Sequence, residues 1–209
     1  MPTLIKHLPG TIAAVWTALV VPAVATAQDA GVVVEGQLAA AQGAPSTGRL
    51  SASPYVDIGR AGAWGFVYVE DGYVSGVGGP YVALHKKGTT VLDAGVGAGL
   101  AHAADDASYA HAPRYAAFVS LSGAMGEAGI YYENGRPRAP WVQADATVNV
   151  RSALAVGVFH QTGDGTGPRA LVSIPRTHLK VWAGPMFEPG QGSRVRTAWL
   201  AGCDLTFER

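Results

Sequence analysis

Apolar residues recur at every second position through many short segments of this chain. In 142–150, Val142, Ala144, Ala146, Val148 and Val150 share one side, and Gln143, Asp145, Thr147 and Asn149 the other. This is the two-residue period of a strand, with no helical component. Residues 195–207 repeat it, with Val195, Thr197, Trp199, Ala201, Cys203, Leu205 and Phe207 opposing a second set that includes Arg196 and Asp204. In 91–101, Leu92, Ala94, Val96, Ala98 and Leu100 oppose Asp93, Gly95, Gly97 and Gly99. Weaker alternation at 32–38, 49–58, 63–70, 80–85, 115–122, 128–133, 153–161, 169–174 and 177–186 brings the count to about twelve strands, with ten also compatible.

The connections alternate as well. Stretches 39–48, 71–79, 102–114, 134–140, 162–168 and 187–194 are long and rich in Gly, Pro, Asp and Ser, and short turns fall between them. Long loops on one rim and short turns on the other describe an antiparallel up-and-down β-barrel of the transmembrane kind. The polar faces carry Gly, Ser, Thr, Gln and Asn with isolated charges, too few for a water-exposed surface, so they are assigned to the lumen. Gly95, Gly97 and Gly99 would leave room there. Many other small residues on this face favour an open path over a packed plug.

Composition sharpens this reading. Charged residues make up 14% of the chain, against about 25% in an average soluble domain. Fifteen basic residues balance fifteen acidic ones without a basic stripe, which argues against nucleic acid as a partner. Residues 1–27 hold one lysine, Lys6, no acidic residue, an apolar run from Thr11 to Val21, and Ala25-Thr26-Ala27. Those are the three parts of a secretory signal peptide cleaved after Ala27. The run is short of the ~18–20 residues a spanning helix needs. Residues 28–209 then form one β-barrel domain. The single cysteine, Cys203, gives an exported chain no internal disulfide.

At the C-terminus, Gly202-x-x-Leu205-x-Phe207 resembles the assembly signal of bacterial outer-membrane β-barrel proteins. Leu200 stands where that family usually has a polar residue, and Glu208-Arg209 follow the aromatic that normally ends the chain. The resemblance covers the architecture and points to no subfamily. It implies residence in the outer membrane, contact with its lipid, and recognition by the barrel assembly machinery. Tyr81, Tyr131, Tyr132, Trp141, Phe159 and Phe187 near the long loops, and Trp64 and Phe207 near the other rim, stand where interfacial girdles are expected, although alternation puts Trp141 on the polar face.

Candidate chemistry is sparse. His102 and His111 flank Asp105 and Asp106 without a compact metal-ligand spacing. His160 could serve a lipid-modifying outer-membrane enzyme with Ser120, Ser122 or Ser173, but no motif ties them together. Gly163-Asp-Gly-Thr-Gly167 reads as a hairpin turn, since no lysine follows it. No cofactor or metal is implied, and no catalytic activity. The candidate lumen-lining charges are Glu35, Asp93, Glu133, Asp145, Arg169, Lys180, Arg196 and Asp204. They either tune a channel or pair across the lumen and close it. The leading expectation is a small porin-like pore for small solutes. The alternatives are a non-conducting barrel, structural or acting through its loops, and a soluble periplasmic lipocalin-like barrel.

Overall fold

The computed structural model describes residues 29–41, 45–103, 112–135, 140–189 and 195–208. The signal peptide read at 1–27, its cleavage site after Ala27, and Asp105, Asp106 and His111 lie outside the described residues. The described residues form twelve strands and no helix. They are β1 (Asp29–Ala41), β2 (Thr47–Ile58), β3 (Ala61–Glu70), β4 (Tyr73–Lys87), β5 (Thr90–Ala103), β6 (Ala112–Gly123), β7 (Gly126–Gly135), β8 (Trp141–Arg151), β9 (Leu154–Gln161), β10 (Gly165–Ser173), β11 (Leu179–Pro189) and β12 (Val195–Glu208).

Each strand pairs antiparallel with its neighbours in sequence, and β1 pairs with β12, from Gly31 opposite Glu208 to Ala41 opposite Ala198. The protein is therefore a closed, all-β, up-and-down barrel. Closure leaves no free edge to recruit another chain. Register is enforced by the faces, since a slip of one residue would exchange every inward and outward side chain. The outward set includes Leu50, Leu84, Val96, Val148, Val158 and Trp199, all more than half exposed.

The two rims differ. Strands meet at 59–60, 88–89, 124–125, 152–153 and 174–178 on one, called here the turn rim, which also carries both ends of the described barrel. The loop rim has connections at 42–46, 71–72, 104–111, 136–140, 162–164 and 190–194. Two of these are shorter than the sequence suggests. Residues 73–79 belong to β4, and 165–168 to β10. Gly72 (φ 71°) and Gly163 (φ 93°) adopt the left-handed conformation that such tight turns require.

The interior is filled by rings. On one side Trp64, Val77 and Ala116 pack with Phe66, Tyr81, Phe118 and Tyr131. On the other, Phe159, Leu171, Trp182, Met186 and Leu200 form a second cluster. The space left by the β5 glycines is occupied. A Cβ at Gly97 would lie 2.9 Å from Trp64 Cζ2, and one at Gly95 would collide with the Phe118 ring. Small and large residues interdigitate, as the walls of modest barrels require.

The girdle expectation is corrected accordingly. Trp64, Tyr81, Tyr131, Trp141 and Phe159 share the inward face of their strands. Tyr132, Phe187 and Phe207 point outward, joined by Tyr115 and Trp199, each 61% exposed. Tyr115, Tyr132, Phe187 and Trp199 all lie toward the loop rim, on β6, β7, β11 and β12.

Candidate functional site

Side chains from strands four and five apart meet across the lumen. Phe66 on β3 meets Tyr131 on β7, with ring centroids 5.0 Å apart. Tyr68, also on β3, meets Trp141 on β8 at 6.2 Å. On the other side of the barrel, Gln161 of β9 donates to Gln37 of β1 at 3.4 Å. Arg49 of β2 pairs with Asp164 in the turn between β9 and β10. Asp164 also accepts from Gln161 Nε2 at 2.6 Å, which holds this turn inward, with Asp164 buried.

Above these contacts, toward the loop rim, lies a cup of about 730 Å³. Phe66 and Tyr68 from β3 and Trp141 from β8 line it with a cluster of rings. Phe66 lies nearly parallel to Trp141 (25°, 6.1 Å between centroids) and to Tyr68 (23°, 6.4 Å). The polar lining includes two ion pairs beside Asp71, Tyr73, Ser75 and Thr162. Arg49 Nε lies 3.1 Å from Glu70 Oε1, and Arg114 Nε 2.9 Å from Glu133 Oε1. Tyr131 Oη donates to Glu133 Oε2 at 3.0 Å, so this carboxylate bridges the ring cluster and the cup.

Below the contacts the interior is ionic. Arg169 Nη2 lies 3.5 Å from Asp145 Oδ2. Its guanidinium sits 4.7 Å from the centre of the Phe159 ring and 5.2 Å from that of Trp182, within cation–π range. Trp182 Nε1 donates to Asp204 Oδ1 at 3.1 Å, and Gln37 Nε2 to Glu35 Oε1 at 2.9 Å. Lys180 Nζ and Glu127 Oε1 are 4.0 Å apart in a half-exposed pair nearer the turn rim.

Of the charges singled out in sequence, Glu35, Asp145, Arg169 and Asp204 therefore gather around Phe159 and Trp182. Glu133 belongs to the cup. Asp93 lies toward the turn rim, opposite Ala83 and Ser120. Arg196 sits at the mouth with its side chain 73% exposed, 3.5 Å from Glu188 Oε2. The sequence reading missed Arg49, Glu70, Arg114, Gln161 and Asp164. Arg49 and Glu70 do share the phase of the polar faces of their strands, and that signal could have found them.

The remaining candidates separate. His160 points outward and shares a 2.8 Å hydrogen bond with Thr166 Oγ1, while Ser120, Ser122 and Ser173 occupy inward positions. The barrel wall stands between them, so the imagined hydrolase site does not assemble. Cys203 is exposed on the outer face. Gly202 faces inward, where a Cβ would lie 2.6 Å from Trp182 Cε2, while Leu205 and Phe207 are exposed outward.

No protein-family model matches the chain, and no curated protein matches its sequence. Among solved structures it is similar to the translocator domain of the autotransporter NalP from Neisseria meningitidis, with 10% identity over 95% of this chain and 98% of that one. The TM-score is 0.28. At that level the likeness adds nothing to the barrel already defined by strand pairing.

Proposed function

We propose that the chain is a bacterial outer-membrane β-barrel whose lumen is occluded and whose function resides in the loop-side cup. Membrane residence is supported by the outward belt of exposed Leu, Val, Ile, Phe, Tyr and Trp around the wall. Soluble monomers rarely expose an apolar patch beyond a few hundred Å², which counts against the lipocalin-like alternative. In this reading the turn rim faces the periplasm and the cup opens outward. Export, outer-membrane lipid and the barrel assembly machinery belong to the same proposal, on the strength of the signal peptide and the C-terminal motif.

The observation that carries the occlusion is the contact between Tyr68 and Trp141, five strands apart around a twelve-strand wall. Eight strands leave an interior that side chains fill, and sixteen leave an aqueous channel. At twelve, side-chain size decides, and here the rings reach across. A second reading, a narrow pore for small solutes, is favoured by the polar group of Glu35, Asp145, Asp204 and Arg169. Planar-bilayer recording separates the two. The expected result is no conductance steps from protein that fractionates with the outer membrane and migrates differently when unboiled. Regular steps that shift in Asp145→Asn would establish the pore instead, and recovery in the soluble periplasm would remove both readings.

A further inference from the structure

We infer that the loop-side cup binds a neutral, hydroxyl-rich ligand of the carbohydrate class. The inference rests on the proposal that the cup is the working part of the barrel. Its volume of about 730 Å³ lies within the ~300–1,000 Å³ of sites that hold small organic ligands. Its lining includes a cluster of rings, Phe66 and Tyr68 from β3 and Trp141 from β8, with Phe66 nearly parallel to each of the other two and those two tilted at 47°. Such a platform offers π-faces to the C–H faces of a flat ring. The same lining carries Arg49, Glu70, Arg114 and Glu133, each already paired with a charge of opposite sign, while Asp71 stands exposed at the lip.

The pairing decides the class. An anionic ligand reaching either arginine would meet the carboxylate beside it, and a cationic ligand reaching Glu70 or Glu133 would meet the guanidinium. Either would have to break an ion pair that is largely out of water, at a cost that binding must recover. A hydroxyl breaks nothing. It accepts from the N–H groups a guanidinium has left over and donates to the spare lone pairs of a carboxylate. Alternating donors and acceptors beside flat aromatic faces match a pyranose ring, with polar hydroxyls at its edge and C–H groups on its faces.

The test is a glycan array probed with detergent-purified barrel whose altered migration when unboiled certifies folding. Binding is expected to neutral glycans, weakened about tenfold in Trp141→Leu, the loss of one ring platform. Trp199→Leu on the outer wall should leave it unchanged. Glu70→Gln, which keeps shape but removes one ion pair, should weaken it about threefold and covers the case in which the Trp141 variant fails to fold. No bound glycan, or binding confined to phosphorylated, sulfated or amino sugars, overturns the inference. The outcome is independent of conductance. A barrel that conducts yet binds neutral glycans through Trp141 would end the occlusion and keep the ligand, whereas a silent barrel that binds none would do the reverse.

Discussion

Arg49 makes a concrete case at the scale of single residues. Its guanidinium contacts Glu70 and Asp164, and its side chain is only 13% exposed. Arg49→Ala would leave two carboxylates facing each other at the floor of the cup. Removing one member of a buried pair strands an uncompensated charge, here expected to cost about 2–4 kcal/mol. Arg196 pairs with Glu188 at the water-exposed mouth, and Arg196→Ala should cost about 0.5 kcal/mol or less. Urea unfolding of the two variants in lipid vesicles, followed by tryptophan fluorescence, measures the difference. Equal midpoints would show that the Arg49 contacts do not bear on stability. The phase of their strands puts Arg49 and Glu70 on the polar face, but the contact with Asp164 was not visible in the sequence, because Arg49 and Asp164 are 115 positions apart and meet only once the barrel closes. The glycines of β5 misled for a related reason. Gly95 and Gly97 read as empty space, but their vacancy is filled by Trp64 from β3 and Phe118 from β6. Periodicity reports which face a residue occupies and is silent about what a neighbouring strand sends over it.

At the scale of elements, β8 was legible because apolar and polar residues alternate strictly from Val142 to Val150, and β12 was legible because its outward face is almost wholly apolar, although Ala198 and Leu200 interrupt its polar face. β4 was not. Its inward face carries Tyr73, Val77 and Tyr81, and its outward face carries Gly76, Gly78 and Pro80, so the usual contrast is inverted or absent. The strand is held by its neighbours, through pairings with β3 and β5 that run nearly its whole length. In β12 the structure separates two roles that the C-terminal motif combines. Gly202→Val would drive a side chain into the Trp182 ring, so poor assembly of that variant would report packing. Phe207 is outward and 53% exposed, and touches no interior cluster. Phe207→Ala is therefore the clean probe of an assembly signal. A several-fold loss of heat-modifiable barrel in cells, with normal refolding of the purified variant in detergent, is the expected pair of results. Unchanged yield in cells would reduce the motif to ordinary strand alternation.

For the whole molecule, the contacts across the lumen bear on the cell that would carry the protein. An outer membrane excludes bulky hydrophilic toxins only as long as none of its barrels is a wide hole, and each copy of a twelve-strand barrel is such a hole in outline. Under the proposed occlusion, Phe66 and Trp141 meeting Tyr131, with Tyr68 against Trp141, would make this one safe to produce in quantity. Trimming the rings tests that. Cells producing a Phe66→Ala, Trp141→Ala double variant that still inserts should become sensitive to a bulky hydrophilic antibiotic that the intact envelope keeps out, while cells producing the parent chain at the same level stay resistant. Equal resistance of the two strains would place the seal elsewhere in the lumen. Under that proposal the aromatic interior would be a condition of tenancy in the envelope: a barrel could offer a binding cup to the outside because nothing would pass beneath it.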